Sequence, residues 1–172
     1  KLMDNDKLDP YGDCMTRLST HYSLNCACGA NPFDVTGAPV MRAYCHCLNC
    51  QAYNQAPYGD FLVYRKNQVV FHNEENTQFK AFQQPPLVRR GSCVKCGKPV
   101  LEKANIPLFP QLTLVPAINH THPHDLPSPA MHMFYNRSVI EMTDRVPKYS
   151  GYVGSQTPFL WELAKALLAT RT

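Results

Sequence analysis

Seven of the eight cysteines fall into three short clusters, Cys26-x-Cys28, Cys45-x-Cys47-x-x-Cys50 and Cys93-x-x-Cys96, while Cys14 stands apart and reads as a free thiol. Thiols this close together bond as disulfides, cycle between redox states, or hold a soft cation. A disulfide scaffold fits poorly. The two sulfurs of Cys-x-Cys are badly placed to bond each other, and such scaffolds are usually smaller than 172 residues. Residues 1–10 carry no apolar core of an export signal, so the expected compartment is the cytoplasm. Zinc accounts for the spacing better, because it takes four thiolates delivered as two short clusters in a closed structural site. Pairing Cys26 and Cys28 with Cys93 and Cys96 supplies that set, and Gly29 and Gly97 follow each pair where the chain must turn. Cys45, Cys47 and Cys50 then remain. Three protein ligands with one open position is the pattern of a catalytic zinc. A single structural zinc beside a redox-active Cys47/Cys50 pair stays open as the alternative.

The elements that must position these sulfurs look like short strands. His21–Cys26 and Phe33–Thr36 alternate apolar and polar residues, and Val40–Tyr44 leads into the three-cysteine cluster. Residues 46–54 have few breakers and predict a helical turn carrying Cys47 and Cys50. Further strands are expected at 61–65, 69–72, 78–82, 87–92, 100–102, 111–115, 130–135 and 138–142. Fifteen prolines, concentrated between 85 and 158, disfavour long helices there. The expected class is all-β, with an N-terminal arm at 1–19, one zinc-binding domain at 20–150 and a C-terminal extension at 151–172. In that extension Thr157 reads as an N-cap and Pro158 as the first helical residue. Leu160, Leu163, Ala164, Leu167 and Leu168 form one apolar face, with Trp161 beside it. That face packs on the sheet or supplies a homodimer contact. Hydrophobic residues at 44% with charged residues at 17% exclude a disordered tail or a coiled coil. No apolar run approaches the ~20 residues of a membrane span. A formal net charge of +4 is too small and too dispersed to indicate a nucleic-acid partner.

The order Cys26-x-Cys28-Gly29-Ala30, Cys45-His46-Cys47-x-x-Cys50, Ala56-Pro57-Tyr58 and Arg90-x-Ser92-Cys93-x-x-Cys96-Gly97 resembles the glutathione-dependent formaldehyde-activating enzyme family, which includes centromere protein V. The likeness extends to His132 and to Asp144–Tyr149. It implies a β-tent of short antiparallel strands around a structural zinc held by Cys26, Cys28, Cys93 and Cys96. It also implies a second zinc on Cys45, Cys47 and Cys50, with water or substrate as fourth ligand, and a carbon–sulfur lyase or adduct-forming activity. The family's named reaction joins glutathione and formaldehyde into S-hydroxymethylglutathione. This chain departs from the family after Cys50. Basic residues are missing there, Gln55 stands where a glycine is usual, and the tryptophan often found between the family's His and Asp, here His132 and Asp144, is absent.

An open three-thiolate zinc suits thiol chemistry, since it keeps a bound sulfur as thiolate for attack on a carbonyl carbon or stabilises it as a leaving group. The expected partner is a small thiol or its aldehyde adduct. Cys45, Cys47, Cys50, His46 and Arg90 are the expected catalytic set. His46, between two ligands, either lies near the metal or turns away and orders the loop. Arg90 either binds a substrate carboxylate through its fork or sits in a structural ion pair. Tyr53 and Tyr58 line a pocket or simply pack. His132 and Asp144 match the family pattern as hydrogen-bonding groups. The alternative to an enzyme is a zinc-stabilised binding module, which would need a fourth protein ligand at the second centre. His120, His122 and His124 fall in a Pro-rich segment expected to be an exposed loop without a dedicated metal.

Overall fold

The computed structural model describes residues 21–169, so Cys14 and the arm expected at 1–19 lie outside the described residues. Two sheets carry the fold. The smaller contains β1 (His21–Leu24), β2 (Phe33–Thr36) and β5 (Val69–Phe71) in the order β1-β2-β5. The larger contains β3 (Met41–Cys45), β4 (Gly59–Arg65), β6 (Thr77–Ala81), β7 (Val88–Cys93), β8 (Pro99–Ala104), β9 (Leu112–Pro116) and β10 (His132–Met133). Its order is β10-β3-β4-β9-β8-β7-β6, and all pairings are antiparallel except β10 with β3. A short helix α1 (Leu48–Asn54) follows β3, and a long helix α2 (Tyr152–Ala169) ends the described chain.

The larger sheet is covered on both faces, which explains why β4 reads Phe-Leu-Val-Tyr instead of alternating. Leu62 and Tyr64 turn toward the smaller sheet, where they meet Leu24, Phe33, Val35, Val100 and Val115. Phe61 and Val63 turn the other way, into a core with Met41, Ala43, Met131 and the α2 residues Phe159, Leu163 and Leu167. The four-cysteine cluster sits where the sheets meet, because β1 runs into Cys26 and β7 ends at Cys93.

Helix α2 corrects two expectations. It begins at Tyr152, and Pro158 lies inside it. The cause is Ser155, whose hydroxyl accepts from Phe134 N at 2.8 Å and donates to Tyr149 O at 3.2 Å, docking the first turn on the β10 segment. Packing selects Ser155, Phe159, Leu163 and Leu167, spaced by four, as the buried stripe; Leu168 and Trp161 are each 64% exposed. At the far end Arg65 Nη2 donates to Leu167 O at 2.7 Å, giving a terminal carbonyl a cationic partner. The strand expected at 138–142 does not form, and the one at 130–135 shrinks to His132–Met133. These residues hold one another by local turns, such as Ser138 N to Tyr135 O at 2.9 Å.

Candidate functional site

Two groups of cysteines converge. The sulfurs of Cys26, Cys28, Cys93 and Cys96 all lie within 4.8 Å of one another, as do those of Cys45, Cys47 and Cys50. In the first group Cys26 Sγ and Cys28 Sγ are 3.5 Å apart, and Cys28 Sγ and Cys93 Sγ 3.7 Å. Zinc–sulfur bonds of about 2.3 Å put tetrahedral sulfurs about 3.8 Å apart, whereas a disulfide needs about 2.05 Å. The donor set therefore fits zinc. Both turns are closed by a glycine amide, Gly29 N to Cys26 O at 2.9 Å and Gly97 N to Cys93 O at 2.8 Å. Gly29 and Gly97 have φ of +74° and +69° with open space where a Cβ would go, so backbone conformation is what demands glycine there. Asn31 is fully buried. Its Nδ2 donates to Cys26 Sγ at 3.6 Å, and its Oδ1 accepts from Thr77 at 2.8 Å. Burial raises the Cys26 pKa, but hydrogen bonds from Asn31 and Cys28 outweigh it and bring the thiol down to about 6.

The second group is built by β3 and α1. Cys45 ends the strand, Cys47 caps the helix by accepting from Cys50 N at 3.4 Å, and Cys50 lies one turn on. Cys45 and Cys50 are buried while Cys47 is half-exposed, so the cluster opens on the Cys47 side. Hydrogen bonds from Cys45 and Cys50 hold Cys47 as thiolate, far below the ordinary thiol range. The same sharing pushes Cys45 and Cys50 up. Arg90 reaches this cluster, with Nη2 donating to Cys50 Sγ at 3.7 Å. Its Nε lies 2.9 Å from Glu102 Oε2, in a pair that is almost wholly buried. Burial opposes the charge on Arg90, but Glu102 and Cys50 outweigh it and raise its pKa. Burial lifts Glu102 to about 7 against the pull of Arg90. Of the two expectations for Arg90, the ion pair is the one the structure shows.

His46 follows Cys45 just past the end of β3, and its ring packs away from the three sulfurs. It is fully buried among the rings of Tyr58, His132 and Tyr135, at centroid distances of 5.3, 5.2 and 5.3 Å. His46 Nε2 meets His132 Nδ1 at 2.9 Å, and His132 Nε2 lies 3.1 Å from both oxygens of Asp144. A carboxylate only accepts, so His132 carries its proton on Nε2 and accepts at Nδ1. His46 then carries its proton on Nε2, which leaves Nδ1 as a buried acceptor without a partner among the described residues. Burial and the neighbouring His132 lower the His46 pKa to about 4. No ring nitrogen of His46 joins the three sulfurs within 4.8 Å, so the cluster has no fourth protein ligand among the described residues.

Other expectations settle differently. Tyr53 packs: it is buried and donates to Gly91 O at 2.8 Å. Tyr58 lines a hollow of about 370 Å³ with Asn54, Arg42 and Asp60. His122 and His124 are exposed, but His120 is 8% exposed and packs on Tyr64, which corrects the exposed loop expected there. Gln51 marked in the sequence only the loss of the family's basic residues, yet its Nε2 donates to His46 O at 2.6 Å and Arg137 O at 2.9 Å, pinning the 135–137 turn over α1. Glu102 was missed too. It opposes Arg90 across the β7–β8 pair, and a bulge at Gly91/Ser92 offsets the register that the hairpin alone would suggest.

The sequence profile of the glutathione-dependent formaldehyde-activating enzyme (GFA) matches residues 21–137, more than half of the chain. The chain belongs to the glutathione-dependent formaldehyde-activating enzyme family. The match spans all seven clustered cysteines, with His46, Arg90 and His132. A Rhodobacter sphaeroides protein of known crystal structure shares the fold at a TM-score of 0.50 and 17% identity, over 63% of this chain and 97% of that one. No curated protein matches. Family membership sets a glutathione-related, formaldehyde-activating context, and both cysteine groups suit zinc. Among the described residues no helix is long and apolar enough to cross a membrane.

Proposed function

We propose that this chain catalyses reversible carbon–sulfur bond formation between a small thiol of the glutathione type and an aldehyde at the Cys45–Cys47–Cys50 centre, as a cytoplasmic carbon–sulfur lyase. The observation that carries it is three convergent sulfurs, open at Cys47, with no fourth protein ligand among the described residues. Cys26, Cys28, Cys93 and Cys96 would hold a structural zinc at the junction of a β-tent. Cys45, Cys47 and Cys50 would hold the second zinc, whose charge, when bound, keeps an incoming sulfur as thiolate at neutral pH.

In the forward direction the thiol sulfur bonds to the carbonyl carbon, the C=O π pair moves to oxygen, and the thiol proton ends on that oxygen; the lyase direction reverses each step. The residues of the chain position this exchange. Arg90 donates to Cys50 Sγ and fixes that sulfur, and Glu102 holds the guanidinium in place. Gln51 keeps the 135–137 turn against α1, which shapes the approach to Cys47. With its pKa near 4, His46 is a weak base at neutral pH. Its assigned role is to hold the Cys45–Cys47 backbone from behind through His132 and Asp144, while the proton leaves through water on the open side.

The test is cobalt substitution followed by titration with glutathione and simple thiols, watching the thiolate-to-cobalt charge-transfer band. A saturable change that Cys47→Ser removes supports the reading. Two closed, thiol-insensitive centres, with no adduct formed from formaldehyde and any thiol tried, would overturn it in favour of a binding module.

A further inference from the structure

A second cavity, of about 130 Å³ and partly open to solvent, lies between the smaller sheet and the 120–127 segment, and none of the seven clustered cysteines lines it. Its walls include three aromatic rings, Tyr22, Tyr64 and His120, together with Pro39, Leu126 and Pro127. Tyr64 and His120 stack with centroids 6.2 Å apart, and Tyr22 meets His120 edge-on at 6.1 Å. Flat, rigid walls of this kind favour a flat guest through face and edge contacts. The size is that of a single ring, since apolar cavities of about 150 Å³ take up a benzene-sized molecule.

The cavity also has a polar handle. Tyr64 Oη and His120 Nε2 are 3.4 Å apart, a long contact between side chains that are 1% and 8% exposed as residues. That contact is the only hydrogen bond the His120 ring makes among the described residues. Burial holds His120 neutral, with its pKa lowered to about 4. A neutral imidazole bonded to a phenol leaves one donor and one acceptor over in either tautomer. A guest hydroxyl or amide has a use for both. Asp125 lines the cavity and Arg42 donates to Pro127 O on its wall, so the two charges offset each other, and the mostly apolar lining disfavours a charged guest.

We propose that this cavity is a binding site, separate from the cysteine centres, for a small uncharged ring compound bearing one hydrogen-bonding group. Phenol is the simplest probe. The experiment is a proton–nitrogen correlation titration of the full zinc-loaded chain with phenol, with benzoate as the charged control. Phenol should give saturable shifts confined to the neighbourhood of residues 22, 37–39, 64 and 120–127, with millimolar affinity as fits a guest of seven heavy atoms. Benzoate should bind at least tenfold more weakly. Ala38→Trp, at an exposed position on the cavity wall, should weaken phenol at least tenfold while leaving the unfolding temperature unchanged. Absence of saturable shifts, shifts confined to the cysteine clusters, or equal binding by Ala38→Trp each overturns the proposal. The location of the wild-type shifts decides the matter even if that variant folds poorly.

Discussion

Arg90→Gln tests how the second centre is built, because it removes the charged donor to Cys50 Sγ and strands Glu102 in the same stroke. A hydrogen bond to a charged group contributes about 1.5–3 kcal/mol. At about 1.4 kcal/mol per decade, that predicts zinc retention at Cys45, Cys47 and Cys50 weakened by roughly 10- to 100-fold, the range seen for other outer partners of metal ligands. Stability should fall as well, by about 1–3 kcal/mol, since Glu102, which burial already lifts to about 7 beside Arg90, takes up a proton and is left as a buried carboxyl without its partner. The two effects separate in the double variant Arg90→Gln/Glu102→Gln. Removing the stranded carboxylate should restore most of the stability, whereas Cys50 still lacks its donor and zinc retention should stay low. The assay is competition of the zinc-loaded protein against a chromophoric chelator, which resolves two release steps, alongside denaturant unfolding. The four-cysteine step should not move. Recovery of zinc retention in the double variant would show that Arg90 acts only through packing, and equal weakening of both steps would refute the assignment of Arg90 to the second centre.

Three further outcomes follow from the packing. Leu163→Ala should destabilise by about 2–5 kcal/mol, since it empties a buried site, while Leu168→Ala should change stability by less than about 0.5 kcal/mol; equal losses in denaturant unfolding would contradict the buried stripe. His120 is held below its ordinary pKa of 6.5, at about 4, so its contribution to stability is complete above pH 6.5 and is lost as pH falls through 4. His120→Gln should therefore flatten the pH dependence of unfolding free energy across that window, and an unaltered slope counts against the buried neutral ring. Gln55 ends α1 with φ +51°, a left-handed conformation costing about 1–2 kcal/mol for a residue with a Cβ. Gln55→Gly should raise stability by about 0.5–1 kcal/mol after losing the exposed side-chain contacts to Lys98 and Gly97, and a lower urea midpoint would show that those contacts outweigh the strain.

The two groupings of cysteines that converge in the fold were legible without any structure. Cysteine spacing states which sulfurs travel together, and Gly29 and Gly97 mark the turns that bring them round. Period-two alternation located most strands, because a half-exposed strand must repeat every second residue. The alternation failed where both faces are buried, as in β4, and where a two-residue bridge such as β10 is held by its neighbours rather than by its own pattern. The face of α2 was read only in part, Leu163 and Leu167 correctly and Leu168 not, for a related reason. Several apolar stripes are compatible with Leu160 to Leu168, and only contact with Met41 and Phe61 selects Phe159, Leu163 and Leu167. The surroundings of the second centre were beyond local reading altogether. Glu102 meets Arg90 through a bulged register, and His46 meets Asp144 through His132, a residue 86 positions away. Sequence determined which atoms can bind a cation, since ligand chemistry belongs to residue type and short spacing. Tertiary structure decided which charges and rings surround them, since burial and long-range pairing depend on how the sheets close.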